Sequence, residues 1–187
     1  MGLNYNLLIL KNESPGISEV EKEIRDISKE FLLLESKADF GMVLKMHTEC
    51  NCFAIAKYDK VLIVSDERHT ITDRIVNSKI NCDSMLRAES QSTVEVQEVE
   101  YWENSLLIRK YSLGVDAHME DFLEELPPEV VEQIMNENEE FGSPQGFEKN
   151  GKSTYKVLET YGIGESIILD LDAWDIFGKR NLTPSSS

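Results

Sequence analysis

Apolar positions along the chain fall into two alternating rhythms. Tyr5 to Lys11 holds the unbroken run Leu7-Leu8-Ile9-Leu10, closed by the turn formers Asn12-Glu13-Ser14-Pro15-Gly16. Such a run predicts a strand buried on both faces, in the interior of a sheet. Val20, Ile24, Ile27 and Phe31 then recur at helical spacing, and Ser18 with Glu21 three residues later predicts a capping box at the start of that helix. Its polar face offers Glu21 before Arg25 and Lys22 before Asp26, the i,i+4 order that favours ion pairing.

Phe40, Met42, Leu44 and Met46 alternate, which predicts a half-buried strand. Cys52–Lys57 and Val61–Ser65 flank Tyr58-Asp59-Lys60 as an antiparallel hairpin. Thr70 with Asp73 predicts the cap of a second helix carrying Ile71, Ile75 and Val76. Thr93–Trp102 and Leu106–Leu113, joined by Glu103-Asn104-Ser105, form a second predicted hairpin. Its apolar phase slips between Val94/Val96 and Val99/Tyr101, so a bulge is expected near Gln97 or Glu98.

Beyond Gly114, Pro127-Pro128 predicts the first turn of a helix with Val130, Val131, Ile134 and Met135, ended by Gly142-Ser143-Pro144-Gln145-Gly146. Ser153 caps a short predicted helix with Tyr155, Leu158 and Tyr161, stopped at Gly162. Ser166–Leu171 reads as a last strand. Strands outnumber helices and mostly join through tight turns. The expected fold is therefore α+β, an antiparallel or mixed sheet of about six to seven strands with helices packed mainly on one side. It forms one domain over residues 1–182, containing an acidic helical segment at 116–148, with a disordered tail at 183–187.

Charge changes the picture most. The 187 residues carry a formal net charge of −16, which opposes a phosphate-backbone binder and favours attraction of a basic protein. Between Tyr111 and Glu148 eleven acids occur without one Lys or Arg, although helix faces normally mix signs. Within that stretch Glu120, Asp121, Glu124, Glu125, Glu129 and Glu132 are the expected partner-binding residues. No apolar run reaches the roughly 18 residues of a membrane span, and Leu7–Leu10 is too short for a signal peptide, so a cytoplasmic protein, monomeric or homodimeric, is expected. Cys50, Cys52 and Cys82, an odd set of three, agree with a compartment that keeps thiols reduced.

Candidate chemistry is sparse. His47-x-x-Cys50-x-Cys52 offers three zinc-type ligands without a fourth, in an unusual spacing, and packing is the expected role. Asp170 and Asp172 would share one face of a strand, a geometry that suits a divalent cation or acid–base work. Gly162-Ile163-Gly164 lacks the strand and third glycine of a phosphate loop. His69 and His118 have no companion ligand, and Trp102 and Trp174 are expected in the core. No catalytic, cofactor or metal residue is assigned. The expected function is a non-enzymatic acidic binding protein, of immunity or inhibitor type, that engages a basic protein. The competing expectation is a small metal-dependent enzyme using His47/Cys50/Cys52 or Asp170/Asp172.

Overall fold

The computed structural model describes residues 5–13, 16–91, 96–113, 163 and 165–179. The acidic segment, the helices expected around Pro127 and Ser153, His118 and the C-terminal tail lie outside them. Eight strands form one sheet. They are β1 (Tyr5–Lys11), β2 (Leu32–Ala38), β3 (Cys52–Tyr58), β4 (Val61–Ser65), β5 (Ser84–Gln91), β6 (Val96–Glu103), β7 (Leu106–Leu113) and β8 (Trp174–Gly178). The order across the sheet is β2-β8-β3-β4-β1-β5-β6-β7, and neighbouring strands run antiparallel throughout. The described helices are α1 (Ile17–Ile27), α2 (Phe40–Glu49), α3 (Thr72–Ser78) and α4 (Glu165–Asp170).

β1 sits inside the sheet, between β4 and β5, as its apolar run requires. Leu7 and Ile9 enter one apolar layer and Leu8 and Leu10 the other, all at most 2% exposed. The described helices contribute to both layers. Val20 and Ile24 of α1 and Ile71 and Ile75 at α3 join Leu8 and Leu10, whereas Phe40 and Val43 of α2 and Ile168 of α4 join Leu7 and Ile9.

Local chemistry explains where the elements depart from expectation. The Phe40–Met46 stretch is helical, because the buried side chains are Phe40, Val43 and His47, at helical spacing, and Met42 is exposed. Asp39 caps that helix through Oδ1, which accepts from the Met42 N–H at 2.7 Å. Residues 165–170 are likewise helical: Ile168 is buried while its neighbour Leu169 is exposed, so α4 ends where a strand was expected. The strand that does close this part of the sheet is β8, seated between β2 and β3.

α1 is capped differently from its sequence signature. Gly16 occupies the N-cap with φ 120° and makes no side-chain cap bond, while Glu21 turns to Arg25 (2.7 Å) and Lys57. The hairpin β6–β7 turns at Asn104 and Ser105, both at positive φ, which matches a two-residue turn of the twist-compatible kind. Pairing of β5 with β6 is unbroken from Ser84 opposite Glu103 to Gln91 opposite Val96, so no bulge lies near Gln97 or Glu98 on that side. The shift falls between β6 and β7: Tyr101 faces Arg109 and Trp102 faces Leu107, leaving Ile108 as the extra residue.

Candidate functional site

The end of α2 and the start of β3 bring two of the sequence candidates together. His47 is the last inward-facing residue of α2, and β3 begins five residues later with Cys52. The imidazole bridges two strands: Nδ1 lies 3.6 Å from Cys52 Sγ, and Nε2 lies 3.1 Å from Ser65 Oγ at the end of β4. All three residues are at most 3% exposed. Cys50 is half-buried at the C-terminal end of α2, and its thiol points back to the Met46 carbonyl at 3.2 Å.

Burial sets the protonation of this cluster. It holds His47 below its ordinary value, outweighing the nearby carboxylates Glu67 and Asp66, which favour the charged ring. Burial, with Cys50 and Asp66 adding to it, pushes Cys52 up to about 12. Cys82, elsewhere in the core, is pushed up to about 11 by burial and by Asp83. A neutral thiol beside a neutral imidazole, closed off from solvent, is not an activated nucleophile. Nor do the three residues form a metal cradle: among the described residues no group of three or more His, Cys, Asp or Glu is placed to hold an ion.

His47 gives a pH signature. Its folded pKa lies below the unfolded value of about 6.5, so the unfolded chain binds more protons between the two. The stabilisation from neutral His47 is therefore complete above about pH 6.5 and is lost as pH falls toward the folded pKa. Urea midpoints for the parent protein should drop between about pH 7 and pH 5 more steeply than those of His47→Gln. Parallel curves would show that His47 does not carry the dependence.

Asp170 and Asp172 are not a pair on one strand face. Asp170 ends α4 and Asp172 lies in the link to β8, both exposed. Ile163 is fully buried in the core rather than part of a phosphate loop. Trp174 is fully buried against Phe40, ring centroids 5.4 Å apart, and Trp102 is buried beside a small pocket lined by Val76, Ile80, Cys82 and Met85. Glu120, Asp121, Glu124, Glu125, Glu129 and Glu132 lie outside the described residues.

The register assembles one charged cluster that the sequence reading passed over. β1, β5 and β6 set Asn6 opposite Glu89, Leu8 opposite Arg87, and Arg87 opposite Glu100. Arg87 reaches Asp73 of α3 at 3.3 Å, Glu100 at 3.6 Å and Glu89 at 3.9 Å. His69, in the loop before α3 with φ 53°, touches Arg87 and receives Asn6 Nδ2 at 3.0 Å on Nδ1. Its Nε2 lies 3.5 Å from Glu89. The available signal was the alternation Arg87-x-Glu89 and Glu98-x-Glu100 on adjacent strands, but only the register shows that they meet.

No protein family, curated protein or solved structure compared with the chain matches it. The Arg87 cluster ties α3 to β5 and β6 across the sheet, and the His47 cluster ties α2 to β3 and β4. Both are joints between layers. Among the described residues no helix is long and apolar enough to cross a membrane.

Proposed function

We propose that the protein is a non-enzymatic acidic binding protein that engages a basic protein partner, in the manner of an immunity or inhibitor protein. One observation carries this reading. If each of the 19 Lys and Arg residues neutralised a separate carboxylate, 16 of the 35 acids would still be left over. The described ion pairs do not spread even that evenly, since Arg87 alone serves Asp73, Glu89 and Glu100. A surplus of this size raises the local concentration of a cationic partner and speeds encounter.

The contact surface in this reading is the stretch with eleven acids and no base, centred on Glu120, Asp121, Glu124, Glu125, Glu129 and Glu132. The placement of Asp170 at the end of α4 and of Asp172 in the link to β8, off any strand face, weakens the reading as a metal-dependent enzyme.

The test is kinetic. A partner captured from the native cell at low salt is purified, and its association rate is measured from low salt to well above 0.1 M for the parent chain and for E120Q/D121N/E124Q/E125Q. At about 0.1 M the screening length is roughly 10 Å, so the parent rate should fall steeply with salt and the variant rate should start lower and fall less. Equal rates and equal salt slopes would remove the acidic stretch from the interface.

A further inference from the structure

Cys50 and Cys52 are two residues apart where α2 gives way to β3, and they differ in setting. Cys50 is half-buried and within reach of solvent, whereas Cys52 is enclosed. Cys50 packs against the apolar layer that contains Cys52 and lies near enough to add to the upward push on that thiol. Cys50 is the C-cap residue of α2, with φ −146° and ψ 166°, and the chain bends at Cys50 and Asn51 before β3 begins at Cys52. Behind Cys52, His47 Nδ1 is 3.6 Å from the sulfur and is held in place by Ser65 on its other nitrogen. The pair thus has an outer thiol that a small oxidant can reach, an inner thiol two residues on, and an imidazole behind the inner one.

We propose that Cys50 and Cys52 are a peroxide-sensitive dithiol that closes to an intramolecular disulfide, with His47 taking the proton of Cys52. The oxidant is a hydroperoxide. The Cys50 sulfur attacks one peroxide oxygen, the O–O bond breaks, and the departing oxygen leaves as water or alcohol with the thiol proton, giving a sulfenic acid on Cys50. Cys52 passes its proton to His47 Nδ1 and its sulfur attacks the Cys50 sulfur. The S–O bond breaks, and the hydroxide takes the proton from His47 and leaves as water. Two thiols lose two electrons and one hydroperoxide gains them.

The order of events follows from the surroundings. Burial that pushes Cys52 up to about 12 makes it a poor first nucleophile and explains why it needs the imidazole beside it to act as the resolving thiol. Closing the bond draws Cys52 away from His47 and fastens the last turn of α2 to the first residue of β3. Cys82, buried on its own in the other apolar layer, has no thiol partner and serves as an internal control. This inference does not depend on partner binding.

The experiment uses the full chain, reduced and freed of metal with a chelator, then exposed to hydrogen peroxide. Native-state oxidation is stopped by acid, and thiols are alkylated after unfolding. Alkylatable thiols should fall from the three free cysteines to one, with an intact-mass loss of about 2 Da that a dithiol reductant reverses. Cys82→Ser should lose two thiols in the same way. Cys50→Ser should lose none. His47→Gln should accumulate a dimedone-reactive sulfenic acid on Cys50 and close the disulfide at least about 100-fold more slowly, the loss expected when a positioned base is removed. The proposal is overturned if all three thiols survive peroxide. It is equally overturned if Cys50 in the parent chain runs on to sulfinic acid without pairing, or if the bond that forms joins two chains.

Discussion

Asp66→Ala should destabilise the protein by about 3–5 kcal/mol, because it leaves several buried N–H donors without an acceptor at once. Asp66 is fully buried at the end of β4. Its Oδ1 accepts from the Thr70 N–H at 2.9 Å, and its Oδ2 accepts from the N–H groups of Ile71 and Thr72 at 2.7 and 2.9 Å. The Thr72 hydroxyl donates to the same Oδ2 at 3.2 Å. These bonds do the work of an N-cap for α3, whose own cap residue, Ile71, has no side-chain acceptor. Ordinary cap losses are about 0.5–2 kcal/mol, and burial raises the cost here because water cannot replace the missing oxygen. Asp66→Asn keeps one acceptor but turns an NH₂ toward donors, so it should fall between the parent and alanine. Asp73→Ala, in the exposed first turn of α3, should cost no more than about 1 kcal/mol. Denaturant melts of the three variants decide the matter, and equal losses for Asp66→Ala and Asp73→Ala would return the capping role to the first turn.

Trp174→Ala is the second large effect, expected at about 3–5 kcal/mol. The ring is fully buried at the start of β8, against Phe40 of α2 and in the same layer as Val43, Ile168 and Ile176. Removing it empties the space between α2 and the sheet, and a short strand seated between β2 and β3 has little freedom to collapse into it. Among the described residues its Nε1 has no hydrogen-bond partner. Trp174→Phe gives up ring area but also removes that unpaired donor, so its loss should stay within about 1–2 kcal/mol. A phenylalanine variant as unstable as the alanine variant would show that the indole N–H contributes through a contact the geometry does not reveal.

Local patterns carried the parts of the fold whose neighbours in sequence are neighbours in space. The run Leu7–Leu10 announced an interior strand, and the hairpins β3–β4 and β6–β7 were legible from their turns. Phe40–Met46 misled because its apolar residues satisfy both periods, and only the burial of Val43 and His47 chooses the helix. β5 gave no alternation to read, since Met85 and Leu86 are both buried, on opposite faces. β8 has five residues, too few to declare themselves. For the candidate site, His47 and Cys52 were picked out by spacing and do meet. The Arg87 cluster was invisible, because it joins residues from β1, α3, β5 and β6 whose proximity is a property of the register. The capping of α3 by Asp66 escaped for a similar reason: the acceptor stands five and six residues before the donors it serves, beyond the reach of the usual capping signature.

Among the described residues, the two outer strands have a shared consequence for the life of the molecule at high concentration. Leu32 and Leu33 on β2, and Leu106, Leu107 and Ile108 on β7, are all about half exposed or more, which would ordinarily invite another chain to add a strand. Both rims are irregular where this apolar surface lies. β2 slips register twice against β8, and β7 carries its extra residue at Ile108. A kinked rim presents its free N–H and C=O groups at uneven spacing, so a straight strand cannot match them in succession. By backbone shape alone, such a rim opposes growth of a sheet into a fibre even where apolar side chains lie on its surface.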